Sequence, residues 1–265
     1  MSLPGLLYHK IDDGFEAGLT RVSPSAFRRQ ISSLADRHWF FKSCIESFEI
    51  PGDADGVATL SFDDGYETLP DHVLSLLPAY GFTATVFIPT DWIGRSNRWD
   101  PGAFGIRARH MDERAIRTWS DAGMEVASHG ASHTPLSLLP PSQWQRELQG
   151  SRERLEDITG RVVAGFSPPY GRLQQRHLDA VARAGYRYIA GVRPINLALP
   201  EGMYTVERLP VYRFEPPGVL QLKLDRSHPM HRLHRAVLYG IHQANTGSVF
   251  VQGLQLRMLR RGRRA

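Results

Sequence analysis

With 265 residues, 42% hydrophobic and 22% charged, the chain has the length of one large domain or two small ones and the composition of a folded protein. Its single cysteine, Cys44, excludes an intrachain disulfide framework and a cysteine-rich zinc site, so a metal would have to rest on histidines and carboxylates. The net charge of +5 matches five arginines among the last nine residues (Arg257, Arg260, Arg261, Arg263 and Arg264), and the near-neutral remainder argues against a nucleic-acid-binding surface.

In chain order, short apolar runs alternate with amphipathic stretches. Strands are predicted at Gly5–His9, Val57–Phe62, Thr83–Pro89, Gly123–Ala127, Val163–Ser167, Arg187–Gly191 and Tyr204–Val211. Helices are predicted at Ser25–Arg37, Tyr66–Tyr80, Met111–Ala122, Ser142–Thr159 and Leu173–Ala184, where apolar residues recur at helical spacing. Pro24-Ser25 and Pro141-Ser142 suit helix starts, and Gly81, Gly123 and Gly185 suit helix ends. This alternation predicts an α/β fold with a largely parallel sheet, open or closed as a barrel. No apolar run approaches the ~20 residues of a membrane-spanning helix. The first ten residues lack a basic region and a long apolar run, so a cytoplasmic location is expected.

Three groups carrying chemistry fall at predicted strand ends, where parallel α/β folds collect their sites. Asp63-Asp64-Gly65 closes the second strand. Two adjacent carboxylates resist joint ionisation unless a cation or a catalytic task separates their roles. Ser128-His129-Gly130-Ala131-Ser132-His133-Thr134 follows the fourth strand. On one helical turn, its two histidines at i and i+4 would share a face and converge on a single ion. With Asp64 they make a two-histidine, one-carboxylate set that suits zinc, with Co, Fe, Ni or Mn as other occupants. Ser167-Pro168-Pro169-Tyr170-Gly171 ends the fifth strand. Its prolines leave the Tyr170 amide as a directed donor, an oxyanion hole or simply a tight turn.

These motifs, in this order and context, resemble the polysaccharide deacetylases (the NodB-homology, carbohydrate esterase family 4 group) across roughly residues 3 to 212. The resemblance implies a distorted (β/α) barrel of about seven strands. It implies Asp63 as the catalytic base, Asp64, His129 and His133 as metal ligands, and Tyr170 as oxyanion donor through its backbone. Many members carry arginine where Ser167 stands; Arg208, at a later strand end, is the candidate to orient Asp63, its alternative being a surface ion pair. The family's usual acid histidine has C-terminal candidates in His228, His231 and His234, but these lie in a polar stretch. His9 ends an apolar strand instead, which resembles the circularly permuted branch containing poly-N-acetylglucosamine deacetylases, and His9 is the expected acid. Pro169, Tyr170 and Trp92 are the expected substrate contacts, with Trp99 and Trp119 as further candidates for sugar stacking or core packing.

The resulting expectation is a metal-dependent hydrolase removing the N-acetyl group from an N-acetylhexosamine in a glycan or a lipid-linked saccharide precursor. Its alternatives are a non-glycan amide or an O-acetyl ester as substrate, or a silent glycan-binding scaffold. A catalytic domain is expected over 1–215 and a helical, Arg-rich extension over 216–265. That extension could touch an anionic membrane through Leu254, Met258 and Leu259, placing the enzyme at the inner membrane face.

Overall fold

The computed structural model describes residues 3–14, 19–96, 108–192 and 197–230. It runs through β1 (Gly5–Tyr8), β2 (Lys10–Ile11), β3 (Arg21–Val22), α1 (Pro24–Ala35) and β4 (Phe40–Lys42). There follow β5 (Val57–Phe62), α2 (Leu69–Val73), β6 (Thr85–Ile88), α3 (Glu113–Asp121), β7 (Glu125–Ser128), α4 (Ser151–Thr159), β8 (Gly165–Phe166), α5 (Gln175–Arg183) and β9 (Tyr188–Gly191). β10 (Tyr204–Glu207), β11 (Leu209–Pro210) and α6 (Pro217–Leu224) complete the order.

The main sheet is parallel and runs β10-β9-β8-β7-β6-β5-β1-β11, with β4 beside the first half of β5. β10 and β11 are one segment interrupted at Arg208. The first half pairs with β9 and the second with β1, so this segment joins the two ends of the sheet. The result is a distorted (β/α) barrel, and each of the seven expected strands contributes to it. β4 went unforeseen because three residues are too few to show a period of two.

Side chains alternate between the two faces of this sheet. Leu60 and Phe62 of β5, Val86 and Ile88 of β6 and Ile189 of β9 point outward into the main core, where they meet Phe27, Ile31, Leu34, Ile116, Leu155 and Val181 of the helices. Phe87, Ala127, Tyr188, Ala190 and Val206 point inward and form a second, smaller cluster with Cys44. Gly165 permits the close approach of β8 to β9, since a Cβ there would lie 2.1 Å from the Tyr188 ring. Burial pushes the Cys44 thiol up to about 12, which leaves it an inert filler of the barrel.

Helix α1 shows why these segments stop and start where they do. Ser23 caps it by accepting from the Ala26 amide, Pro24 opens its first turn, and Phe27, Ile31 and Leu34 form its buried stripe. The expected helix Tyr66–Tyr80 is instead broken into α2 and a separate 3-10 turn at Leu77–Tyr80. Pro78 accounts for the break, because its ring and missing N–H cannot continue a helix. The expected helix Ser142–Thr159 contains a π-helical turn at Arg146–Gly150 before α4.

α6 packs on α1 and β1, burying Leu220 and Leu224, and Lys223 is fully buried as an ion pair with Glu215. The chain just past the boundary expected at residue 215 thus forms a helix that rests on α1 and β1. His231, His234, the apolar Leu254, Met258 and Leu259, and the arginine-rich end all lie outside the described residues, as does Trp99.

Candidate active site

Five strand ends deliver polar residues to one mouth of the barrel: His9 after β1, Asp63 and Asp64 after β5, His129 after β7, Ser167 to Tyr170 after β8, and Arg208 after β10. Asp63 and Asp64 are each 5% exposed, His129 3%, His133 4% and Arg208 1%, so this is a buried cluster rather than a charged surface.

The two aspartates have separate partners. Arg208 grips Asp63 with both terminal nitrogens, at 2.7 Å to Oδ1 and 3.2 Å to Oδ2. The guanidinium also donates to Ser167 Oγ at 2.8 Å and rests 4.6 Å above the Phe87 ring. Burial alone would raise the Asp63 pKa, but Arg208, with His129 and His9, outweighs it and holds the carboxyl below its ordinary 3.8. A surface ion pair for Arg208 is thus excluded. Ser167 leaves the space that the arginine fills from another strand.

Asp64 faces the histidines. Its Oδ1 lies 3.2 Å from His133 Nε2 and 3.6 Å from His129 Nε2. Burial opposes ionisation of Asp64 as well, yet His133 and His129 keep its pKa well below 3.8. His129 donates from Nδ1 to the Ser167 carbonyl at 2.7 Å, which fixes the tautomer and leaves Nε2 as a lone-pair donor. Burial lowers the His129 pKa to about 4, so its ring is neutral near pH 7 as a metal ligand must be. One ligand atom from each of Asp64, His129 and His133 lies within 4.8 Å of the others, and Asp64 Oδ1 is buried without a hydrogen-bond partner. A buried carboxylate oxygen left in that state beside two imidazole nitrogens fits a divalent cation.

The histidines do not share a helical turn, as their spacing suggested. The segment from His129 to Pro135 is a loop in which Gly130 and His133 both have positive φ, 79° and 59°. Glu147, in the π-helical turn and 3% exposed, supports this loop. Its Oε2 accepts from the amides of Ala131 and Ser132 at 3.0 and 2.9 Å. Its other oxygen accepts from the neighbouring Arg146 at 3.1 Å, but the backbone groups it holds lie fifteen and sixteen residues away, so the sequence does not mark its support of the loop.

Tyr170 also has a left-handed backbone (φ 58°, ψ 18°), and its ring lies 5.0 Å from that of His133. Pro169 is buried beside it. The half-buried Trp92 donates from its indole to the Ser132 carbonyl at 3.2 Å, which places it on the histidine loop. Trp119 belongs to the core instead. It is fully buried, edge-on to Phe62, and donates to the Glu125 carbonyl at 3.0 Å. His9 is near enough to lower the pKa of both aspartates, and its Nδ1 is buried without a hydrogen-bond partner. His228 sits in an exposed turn after α6.

A sequence model of polysaccharide deacetylases matches residues 52–189, just over half of the chain. The chain belongs to the polysaccharide deacetylase family. It is 26% identical over 213 residues to YxkH of Bacillus subtilis (strain 168), which is named for polysaccharide deacetylation; the match spans 79% of this chain and 71% of YxkH. Among solved structures, the Streptococcus pyogenes deacetylase PplD in complex with acetate superposes with a TM-score of 0.70 at 21% identity, covering 85% of this chain and 99% of PplD. IcaB from Ammonifex degensii superposes with a TM-score of 0.65 at 18% identity, covering 84% and 95%. At these identities the structural likeness is one of fold. Family membership makes deacetylation of a glycan the activity class.

Proposed function

We propose that the protein is a divalent-metal-dependent N-deacetylase acting on an N-acetylhexosamine unit of a glycan or saccharide precursor. The observation that carries this reading is the division of labour between adjacent carboxylates: Asp63 is clamped by Arg208, while Asp64 presents an unpartnered oxygen to two histidines. Asp64, His129 and His133 would hold the metal. When bound, that ion supplies Lewis-acid polarisation of water and of the acyl carbonyl.

The chain's own residues complete the reaction. Asp63, kept ionised by Arg208, accepts a proton from the attacking water. Arg208 orients both oxygens of Asp63 and leaves each a lone pair for that task. The Tyr170 amide serves the negative charge that develops on the carbonyl oxygen. His9 donates a proton to the amine nitrogen as the C–N bond breaks, so that acetate and a free amino sugar leave. Zinc suits the nitrogen and oxygen donor set. Under the same proposal the enzyme works in the cytoplasm on a soluble or lipid-linked saccharide, with the arginine-rich end toward an anionic membrane face.

Acetate release is measured on a panel of chito-oligosaccharides and lipid-linked N-acetylated sugars, before and after chelation. Activity that is lost with chelator and restored by Zn(II) or Co(II) is the expected result. Asp63→Asn should abolish turnover while leaving metal uptake intact. Release of acetate by that variant at the wild-type rate overturns the assignment.

A further inference from the structure

We propose that Tyr66 and His110 are positioning residues that fix Asp64 as a one-oxygen ligand, and that Lys10 strengthens this brace. The inference rests on Asp64, His129 and His133 as metal ligands and specifies which other side chains set the affinity of that site.

Asp64 is held in a backbone conformation that a non-glycine residue seldom adopts. Its φ is 71°, and that of Gly65 is 59°. Such a turn persists only where its surroundings over-determine it. The segment Arg109–Met111 supplies those surroundings. His110 donates from Nδ1 to the Asp64 carbonyl at 2.6 Å, the Met111 amide donates to the Gly65 carbonyl at 2.8 Å, and the Glu67 amide donates to the Arg109 carbonyl at 3.0 Å. An antiparallel bridge between Tyr66 and His110 joins the two segments.

The side chain of Asp64 is fixed as firmly as its backbone. Tyr66 Oη donates to Oδ2 at 3.0 Å. Oδ1 is therefore the oxygen turned toward the histidine Nε2 atoms, and it has no hydrogen-bond partner of its own. A carboxylate with both oxygens free can rotate and chelate with two. The phenol prevents this by occupying one. Its own placement is secured on the ring: the His110 imidazole stacks on Tyr66 at 5.0 Å and 23°, and Lys10 Nζ lies 4.8 Å from the ring centroid. A cation against a phenol ring draws electron density from the hydroxyl and makes it a better donor to an anion. Tyr66, His110 and Lys10 are only 2%, 1% and 3% exposed, so solvent does little to weaken these contacts. Groups that orient a metal ligand from behind typically contribute about ten- to a hundred-fold in affinity.

The test uses the full-length chain, stripped of metal and titrated with Zn(II) or Co(II) against a chromophoric chelator. Tyr66→Phe should weaken binding by about ten- to a hundred-fold. It should also reduce the intensity of the Co(II) visible bands, as the second Asp64 oxygen becomes available and the coordination number rises. His110→Asn retains a donor and should lose less affinity than His110→Ala, and Lys10→Met should shift affinity in the same direction by a smaller factor. Wild-type affinity together with a wild-type Co(II) spectrum in Tyr66→Phe overturns the brace. If Tyr66→Phe does not fold, equal metal affinity in His110→Ala and the wild type overturns it instead. Asp64→Asn separates the two claims. If the wild type binds no better than this variant, the metal site itself fails and the brace with it; if the wild type binds better and Tyr66→Phe matches the wild type, the brace alone fails.

Discussion

Replacing Arg208 by methionine tests the reading of Asp63 most directly. Methionine keeps much of the volume but removes the guanidinium, leaving a carboxylate at 5% exposure without the two nitrogens that bind it. Removing one partner of a buried ion pair costs about 3–5 kcal/mol, because the other charge stays buried and uncompensated. At about 2–4 °C per kcal/mol for a domain near this size, the melting temperature of the metal-free protein should fall by roughly 6–20 °C. Ser167 Oγ, Ser61 Oγ and the Ala190 carbonyl lose a donor as well, which places the loss toward the upper end. The Asp63→Asn/Arg208→Met double variant removes both charges and should recover a good part of the lost stability, although each substitution alone is damaging. Thermal unfolding followed by circular dichroism, over the four corners of this cycle, is the assay. A drop under about 1 kcal/mol for Arg208→Met, or a double variant no more stable than Arg208→Met, would refute the argument, since either outcome means the pair is solvated or already compensated.

Other expectations follow from individual contacts. His9→Gln should lower kcat by about 10²–10⁴-fold while Zn(II) affinity, read by chelator competition, stays within a few-fold of the wild type; an unchanged kcat moves the acid role elsewhere. Glu147→Ala removes the acceptor of the Ala131 and Ser132 amides, and the loss should cost about 1–3 kcal/mol on denaturant unfolding. Tyr186 reaches the π-helical turn ahead of α4, donating to the Leu148 carbonyl at 2.8 Å, and burial pushes its phenol up to about 12. The unfolded chain ionises this group from pH 10, so its contribution is complete below that pH and declines as pH rises toward 12. Tyr186→Phe should therefore be less stable than the wild type at pH 8 by about 1 kcal/mol, with a gap that narrows by pH 11; a constant gap in urea midpoints would count against it.

How much of this was legible in the sequence depended on how local each signal is. The strands carry their own apolar runs, and Asp63, His129 and Ser167 announce themselves by standing where those runs end, whereas Arg208 interrupts the run Tyr204–Val211. Arg208 came into view only through the family resemblance, since many members carry arginine where Ser167 stands, and a surface ion pair was its equal alternative. The loop that brings His129 and His133 together was not legible, because a spacing of four fits a helical turn and a left-handed loop equally well, and positive φ is uncommon for a non-glycine residue even though histidine tolerates it better than most. Pro70 and Pro78 argue against one long helix after Tyr66, and they outweigh the apolar spacing there. Glu147 and His110 act on main-chain groups far away in sequence, for which a chain read on its own has no pattern. The exposed faces of α1 and α3 and the fully buried Trp119 follow ordinary amphipathic logic.

The segment Tyr204–Pro210 closes the barrel by pairing with β9 along one half and β1 along the other. Asp63 and Arg208, which it brings together, are 145 residues apart, and His9 comes from the opposite side of the same seam. Loop closure over such a span is among the slow and entropically costly events of folding. During synthesis, then, Asp63, Asp64, His129 and His133 are all made before the strand that carries Arg208. Only when the last strand threads between β9 and β1 does Arg208 reach Asp63. Under the proposed mechanism the seam therefore sets an order: the base Asp63 gains its guanidinium partner only with completion of the ring.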